Sequence, residues 1–381
     1  MQALYQESHQ LFRESFRSFA DAELAPRIEE FEAAGIMDRT VYSDAGKHGF
    51  IGFNVPEKWG GGGTSDFRFN AVLSEEIAAI GLGGGGMGLT LHNDITTPYF
   101  VEYCNDEQAA RWLPGIASGE VITAIAMTEP GTGSDLAGIA TTAVRDGDEW
   151  IINGAKTFIT NGINSDLVIV VAKTNAEGGR DGMSLLVVER GMVGFERGRN
   201  LDKIGQHSAD TAELFFTDVR VPAANMLGEE GQAMNYLTFN LAQERLSLGI
   251  FGLAAAKAAL GWTVDYVKER TAFGTAIASF QNTKFVLADV ATQIEVTTPF
   301  MERCIEKLNA GELSGAEAAM AKLWGSELQG KVVDECLQLF GGYGFMSEYP
   351  IARAYADARV CRIYGGTSEI MKTIISKDVL A

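Results

Sequence analysis

The clearest candidate for chemistry is a carboxylate, Glu244, on the apolar face of a predicted C-terminal helix. The segment MNYLTFNLAQERLSLGIF spaces apolar side chains three, four or seven residues apart, which aligns them in one stripe: Met234, Leu237, Leu241, Leu248 and Phe251. Glu244 interrupts this stripe. Burying an unpaired carboxylate is costly and raises its pKa, so such a residue normally has either a partner or a catalytic role. Three interpretations follow: a general base, a salt bridge with a neighbour such as Arg245, or a helix rotated enough to expose Glu244.

A second candidate is the turn MTEPGTGSD at residues 127–135, which directly follows an apolar strand. Its hydroxyl groups, glycines and backbone N–H groups could hydrogen-bond a flat polar ligand. The G-x-G in this turn does not predict a dinucleotide fold, because that motif needs a third glycine and then a helix. Here the next segment, TTAVRDGDEWII, reads as another strand. An ordinary β-turn capped by Asp135 is the alternative.

A third candidate lies on the strand KTFITNG at residues 156–162, where alternation puts Phe158 and Thr160 on one face. An aromatic wall beside a hydroxyl donor suits a flavin ring and its N5 atom. Core packing of the same two side chains is the alternative.

The fourth candidate is the segment YGGTSEI at residues 364–370. Its paired glycines would let a ligand approach the backbone closely, and Thr367 or Ser368 can cap the following helix, with Glu369 in its first turn. Helix capping alone also explains both hydroxyl residues.

The elements that carry these segments fall into three regions: helical over residues 1–120, β-rich over residues 121–226, and helical over residues 227–381. The middle region is predicted to be an antiparallel barrel or sandwich. Two glycine runs, residues 60–63 and 83–86, are predicted to be loops between N-terminal helices. They do not read as phosphate loops, because neither has a preceding hydrophobic strand nor a Lys-Ser/Thr ending.

Composition excludes several classes of protein. With 31 Lys and Arg against 50 Asp and Glu, the 381-residue chain has a formal charge of −19, which disfavours nucleic acid as a partner. Its four cysteines lie far apart without a CxxC pair, which favours reduced thiols over a disulfide frame or a metal site. Neither a secretory signal nor a run of about 18 apolar residues is evident, so we expect a cytoplasmic protein without a membrane span.

Six segments in this order resemble the signatures of the acyl-CoA dehydrogenase family: VPEKWGGGG, AMTEPGTGSDLAG, WIINGAKTFITNG, ERTAFG, QLFGGYGFMSEYP and YGGTSEI. The likeness spans essentially the whole chain. It implies an α+β, mainly α fold with an N-terminal helical domain, a middle β-domain and a C-terminal four-helix bundle. It further implies assembly as a homotetramer and FAD held noncovalently at the domain junction.

The resemblance also implies roles for individual residues. Matching positions that would line the isoalloxazine ring are Met127, Thr128, Gly133, Ser134, Phe158 and Thr160. Those that would hold the pyrophosphate and adenosine, in part from a neighbouring subunit, are Arg270, Phe273, Gln281, Gln338, Gly341 and Gly342. Thr367 and Glu369 would supply the remaining FAD contacts. Substrate contacts would come from Ser134, Arg245, Tyr364, Gly365 and Gly366.

One departure from the common family pattern concerns the catalytic base. In many members a glutamate directly follows the tyrosine of the C-terminal motif, but this chain has Gly365 there. The sequence resembles instead the long-chain and isovaleryl branch, whose base lies on a helix of the C-terminal domain, at the position of Glu244. The resemblance then implies that Glu244 removes the α-proton of an acyl-CoA while a β-hydride passes to FAD, giving a trans-2-enoyl-CoA. The backbone N–H of Gly365 would bind the thioester oxygen.

The resemblance names an electron-transferring flavoprotein as the partner that reoxidises the enzyme. An acyl-CoA oxidase that uses oxygen and a non-catalytic acyl-CoA-binding flavoprotein are the alternatives. Long or branched acyl groups are the expected substrates. Pocket depth would depend on side chains near residues 87–100, whose orientation the sequence does not fix.

Overall fold

The computed structural model describes residues 4–381, and its N-terminal third is helical. A hydrophobic core beneath the first helix gathers aromatic side chains that recur at helical spacing, such as Phe16 and Phe19 against Phe50. The seven helices of this part are α1 (Glu7–Phe19), α2 (Ile28–Ala34), α3 (Thr40–Lys47), α4 (Arg68–Ala79), α5 (Gly83–Thr90), α6 (Thr97–Tyr103) and α7 (Asp106–Ser118). A π-helical turn, Leu91–Thr96, joins α5 to α6.

The middle region forms one eight-stranded sheet in the order β6-β7-β3-β2-β4-β5-β8, with β1 paired to β4. Its strands are β1 (Thr123–Ala126), β2 (Thr142–Asp146), β3 (Glu149–Thr160), β4 (Leu167–Lys173), β5 (Met183–Glu189), β6 (Phe195–Asn200), β7 (Thr211–Pro222) and β8 (Met226–Leu227). The expectation of a purely antiparallel sheet is wrong, because β1 and β2 both pair with β4 in parallel. The segments EWIING and KTFITNG are also one strand, β3, rather than two.

The C-terminal region is a bundle around one long helix. Its helices are α8 (Ala233–Glu269), α9 (Gln281–Asn309), α10 (Gly315–Phe340), α11 (Pro350–Ala358) and α12 (Ser368–Val379), and the hairpin between α8 and α9 pairs β9 (Thr271–Ala272) with β10 (Thr275–Ala276). The backbones of α8 and α10 touch, since a Cβ built on Gly249 would lie 2.6 Å from the carbonyl oxygen of Ala321. This close crossing fixes the rotation of α8 and hence the direction of Glu244.

Helix α8 is also apolar and long enough, by composition alone, to cross a membrane. Its most apolar 18-residue window has a mean hydropathy of 1.4, and 61% of that window is buried inside the protein. The sequence-based expectation concerned an uninterrupted apolar run of about 18 residues, which α8 does not contain because polar residues such as Ser247 and Lys257 interrupt it. The expected lack of a membrane span stays a prediction. Burial in the bundle accounts for the hydropathy, as in the core helix of a globular protein.

The glycine run at residues 83–86 forms the first turn of α5, not a loop. The prediction failed because glycine is a poor helix former in isolation, whereas here the missing side chains let α5 pack closely against its neighbours. A Cβ on Gly84 would overlap the Ser208 hydroxyl, and one on Gly88 would overlap the Tyr42 hydroxyl. Residues 60–63, by contrast, lie outside regular helices and strands, as expected.

We predict that Gly88→Ala lowers the free energy of unfolding by about 1–3 kcal/mol, the usual cost of overpacking a buried contact. The added methyl would displace the buried Tyr42 hydroxyl, which donates to Asn161 Oδ1 at 2.8 Å. Denaturant unfolding measures the effect. The matched control is Gly261→Ala on α8, where a Cβ meets nothing within 4 Å and helix propensity should stabilise by up to about 1 kcal/mol. Equal effects in both variants would contradict the packing argument.

Candidate active site

Glu244 lies on α8 with its side chain turned into the protein, and the residue is 4% exposed. Its Oε1 accepts a hydrogen bond of 2.9 Å from the hydroxyl of Tyr99, a fully buried residue of α6. No salt bridge within 4.0 Å joins Glu244 to Arg245 or to another cation of residues 4–381. Of the three interpretations open from sequence, the salt bridge and the exposed carboxylate are therefore wrong. A buried, hydrogen-bonded acid remains.

Burial raises the pKa of Glu244 to about 7, although the Tyr99 hydrogen bond and the charge of Arg245 both act to lower it. Burial likewise lowers the pKa of Arg245, against the influence of Glu244. The Arg245 Nε is buried without a hydrogen-bond partner in the described chain, so a polar donor beside Glu244 remains available to a ligand. A carboxyl group with a pKa near 7 suits a general base that works near neutral pH.

The glycine pair before α12 lies against α8, the helix that carries Glu244. Gly365 has a φ of +63°, which favours glycine, and a Cβ built on it would overlap Cδ1 of Leu248. Leu248 follows Glu244 by four residues on α8, so the two side chains share one face of that helix. The predicted oxyanion donor, Gly365, thus lies against the residue one helical turn beyond the predicted base, Glu244.

Lys322 of α10 holds this turn, and sequence reasoning missed it. The fully buried ammonium donates to the carbonyl oxygen of Gly366 at 2.6 Å, and burial lowers the pKa of Lys322 to about 8. A lone lysine in the small-residue segment GAEAAMAKLWG was the available signal. Tyr99 gave no comparable signal, because it lies 145 positions from Glu244 in the chain.

A buried ion pair fixes the turn that follows β1. Lys156 Nζ donates to Glu129 Oε1 at 2.9 Å and to the carbonyl oxygen of Met127 at 3.0 Å. The Thr128 carbonyl accepts from the N–H of Thr157 at 2.9 Å, which joins the turn to β3. Met127 and Thr128 are half-buried, whereas Gly133 and Ser134 are exposed. The turn therefore presents backbone and hydroxyl groups at the surface of the sheet.

Phe158 and Thr160 are both accessible at the C-terminal end of β3. Phe158 is 68% exposed and Thr160 half-buried, whereas Ile159 between them is buried. The register of β3 against β7 shifts between Lys156 and Ile159, and Phe158 takes a φ of +60°. A bulky aromatic residue held in the left-handed region is a strained feature typical of ligand sites. The core-packing alternative for this pair is wrong.

Another group of predicted residues meets at the end of the bundle. Arg270, Gln338, Gly341 and Gly342 line one cavity of about 510 Å³. The Arg270 guanidinium lies 5.5 Å from the ring centre of Tyr343, and a Cβ on Gly341 or Gly342 would meet nothing within 4 Å. Every residue lining this cavity comes from the C-terminal region, and none from the sheet.

Phe273 and Gln281 lie just outside that cavity lining. Phe273 occupies the tip of the β9–β10 hairpin with a φ of +51° and is 99% exposed, and Gln281 is exposed at the start of α9. The structure of one chain brings neither of them to the sheet residues. A fully exposed aromatic side chain next to a basic cavity is consistent with the expectation that a second chain or a ligand covers it.

The C-terminal motif combines capping with exposed polar groups. Thr367 accepts from the N–H of Ile370 at 3.3 Å as the N-cap of α12, and Glu369 is exposed in its first turn. The Tyr364 hydroxyl lies 3.1 Å from Cys361 Sγ. Capping therefore accounts for Thr367 in the isolated chain, and its predicted FAD contact stays a prediction.

These features fit a dinucleotide-sized flavin cofactor. The sheet offers an exposed aromatic face and a polar turn for a ring system, and the 510 Å³ cavity offers a guanidinium and open glycine backbone for a phosphate-bearing part. Glu244 and Arg245, whose Nε has no partner in the described chain, lie on α8, and Leu248 of the same helix lies against the glycine turn. A carboxylate, a backbone donor and a ring-binding face together can support proton removal next to a carbonyl group.

Comparison with known proteins gives three family matches that together span most of the chain. They are acyl-CoA dehydrogenase, N-terminal domain (residues 6–120), middle domain (residues 124–219) and C-terminal domain (residues 231–380). The long-chain specific acyl-CoA dehydrogenase, mitochondrial, of Sus scrofa is 47% identical over 379 residues, covering 99% of this chain and 87% of that protein.

Solved structures agree. The acyl-CoA dehydrogenase of Geobacillus kaustophilus has a TM-score of 0.96 and 49% identity, covering 98% of both chains. An acyl-CoA dehydrogenase complexed with FAD from Bacillus anthracis has a TM-score of 0.91 and 30% identity over 99% of this chain and 68% of that one. A structure described as an electron transferring flavoprotein of Acidaminococcus fermentans has a TM-score of 0.94 and 35% identity, covering 99% of this chain and 98% of that one.

Proposed function

This chain belongs to the acyl-CoA dehydrogenase family and uses FAD, and on that basis we propose that it dehydrogenates long-chain acyl-CoA thioesters to trans-2-enoyl-CoA with Glu244 as the base. One observation carries the proposal: a carboxylate that is 4% exposed lies on the helix face that Gly365 also contacts. No side-chain base stands at position 365 to compete with it.

Glu244 and Gly365 would divide the chemistry of the α-carbon between them. A thioester α-proton is far less acidic than a carboxylic acid, so a carboxylate can remove it only if the developing oxyanion is stabilised. The backbone N–H of Gly365 is the proposed donor to that oxyanion, and such donors typically contribute about 10²–10³ in rate. Lys322 would keep the donor in place through Gly366. FAD, when bound, supplies the acceptor for the two electrons and the β-hydrogen.

The cofactor would be held by the two groups of residues described above. Phe158, Thr160 and the 127–134 turn would contact the ring system, and Arg270 with Gln338 would bind the phosphate-bearing part. Because the 510 Å³ cavity has no lining from the sheet, we propose that the Arg270 group serves the FAD of a neighbouring subunit in a homotetramer. The exposed Phe273 beside it supports that arrangement.

The substrate and partner assignments rest on relatives. The 47% identical protein from Sus scrofa is specific for long-chain acyl-CoA, and we propose the same chain-length class here. The similarity to an electron transferring flavoprotein structure supports such a protein as the acceptor of electrons. We also propose a cytoplasmic location.

The proposed function is tested by anaerobic titration of the yellow protein with acyl-CoA thioesters of increasing length. We expect loss of the oxidised flavin absorbance, with the highest kcat/KM for long chains and with trans-2-enoyl-CoA as the product. Bleaching by short chains alone would overturn the long-chain assignment. Hydrogen peroxide release in air at the rate of turnover would indicate an oxidase, and absence of bleaching with every thioester would indicate a binding protein.

A further inference from the structure

Tyr99 is the one side chain that hydrogen-bonds Glu244 in the described part of the protein. Its hydroxyl donates to Oε1 at 2.9 Å, and Tyr99 and Glu244 are both buried. Oε1 is therefore engaged, and Oε2 is the oxygen left to receive a proton. A charge-assisted hydrogen bond of this kind is stronger than one between neutral groups and constrains the direction of both partners.

The segment that carries Tyr99 is fastened to α8 on both sides of Glu244. Gln243 Nε2 donates to the carbonyl oxygen of Asp94 at 2.7 Å, and the Ser247 hydroxyl donates to Asp94 Oδ2 at 2.6 Å. Asp94 belongs to the π-helical turn Leu91–Thr96, which precedes α6 directly. Residues 243, 244 and 247 of α8 thus each bond to one short segment of the chain. Such π-helical turns often occur at functional sites.

We propose, on the basis of the function proposed above, that Tyr99 is a positioning residue: its phenol holds Glu244 by Oε1, keeps the carboxylate in its ionised form and turns Oε2 toward the substrate. The hydrogen bond stabilises the carboxylate more than the carboxylic acid, because the ionised form is the better acceptor. The π-helical turn, bonded to α8 through Asp94, sets the position of α6 so that the Tyr99 phenol reaches Glu244.

Two groups act on the charge of Glu244, and they come from two helices. Tyr99 on α6 and Arg245 on α8 both favour the ionised form, against burial, which favours the neutral acid. Tyr103 lies beside Tyr99, with ring centres 6.2 Å apart, and burial, with a contribution from the charge of Arg245, lowers the pKa of Lys322 on α10. With Tyr99 removed, Arg245 is the remaining group that opposes burial, so the pKa of Glu244 must rise above its present value of about 7.

The test is Tyr99→Phe, which removes one oxygen atom and keeps the ring. The acid limb of kcat/KM should move upward by about one pH unit, since a hydrogen bond to a charged group is worth at least that much. The rate should fall roughly tenfold at pH 6 and remain close to the wild type at pH 9. A uniform loss across the pH range, or an unmoved acid limb, would overturn the proposal.

A second measurement does not depend on turnover. The infrared band of the protonated Glu244 carboxyl, identified by its loss in Glu244→Gln, should titrate near pH 7 in the wild type and about one unit higher in Tyr99→Phe. An identical titration in both proteins would overturn the proposal even if no acyl-CoA is a substrate. If instead the band shifts while no thioester bleaches the flavin, the proposed function fails and the Tyr99 contact stands.

The matched control is Tyr103→Phe on the same helix. Tyr103 stacks on Tyr236 with ring centres 4.0 Å apart and has no hydrogen bond to Glu244. The Tyr103→Phe variant should leave both the pH profile and the infrared titration unchanged. A shift as large as that of Tyr99→Phe would indicate a general loosening of α6 rather than a specific contact.

Discussion

Glu244→Gln is expected to reduce the rate of substrate-driven flavin bleaching by a factor of about 10²–10⁴, the usual contribution of a positioned general base. The amide has nearly the same shape as the carboxylate and can still accept from the Tyr99 hydroxyl, which lies 2.9 Å from Oε1. The fold and the bound flavin should therefore survive. Stopped-flow absorbance under anaerobic conditions measures the rate, and the spectrum of the purified variant measures the flavin content.

The control for this variant is Glu102→Gln, the same chemical change at an exposed position of α6. It should bleach at the wild-type rate. Unimpaired bleaching in Glu244→Gln would exclude Glu244 as the base. Loss of bound flavin in that variant would instead indicate a structural role for the carboxylate.

Lys156→Met is expected to cost about 3–5 kcal/mol of unfolding free energy, because it breaks a buried ion pair and leaves one charge behind. The side chains of Lys156 and Glu129 are 0% and 5% exposed, and Lys156 Nζ lies 2.9 Å from Glu129 Oε1. Burial alone would raise the pKa of Glu129, but hydrogen bonds from Lys156 and from residues 140 and 141 lower it overall. Without the lysine, this carboxylate keeps only its two backbone donors.

The variant should also bind FAD more weakly, because Lys156 anchors the carbonyl oxygen of Met127 at the start of the ring-binding turn. Denaturant unfolding and the flavin-to-protein ratio measure the two effects. Lys47→Met is the control, since Lys47 pairs with Asp44 at 2.8 Å on the surface and such pairs contribute at most about 1 kcal/mol. Similar losses in both variants would show that burial of the Lys156 pair has no special effect.

The sequence predicted those parts of the site whose residues are close together in the chain. Glu244 was identifiable because one acid interrupted an apolar stripe on α8, and Phe158 with Thr160 because strand alternation would put them on one face. The resemblance to a family then grouped Arg270 with Gln338 and Gly341, which the structure finds in one cavity. Local periodicity of this kind predicts the fold because the apolar positions are the ones that become buried.

What depended on distant contacts could not be predicted. Tyr99 meets Glu244 only because the π-helical turn and α8 pack together, and no local pattern records that meeting. The glycine run of α5 was predicted to be a loop because glycine alone disfavours a helix. In the fold, side chains distant in the sequence pack against this helix where larger residues would not fit. The parallel pairing of β1 and β2 with β4 was likewise invisible, since strand patterns carry no direction.

The most direct test of Glu244 as the base isolates the proton step. A 3-thia acyl-CoA has sulfur in place of its β-carbon, so it can lose an α-proton but cannot be dehydrogenated. In deuterium oxide, the wild type should exchange the α-hydrogens of this analogue for deuterium, measured by mass spectrometry, and Glu244→Gln should not exchange them above the uncatalysed rate. Equal exchange by both proteins would contradict the assignment of Glu244 as the base.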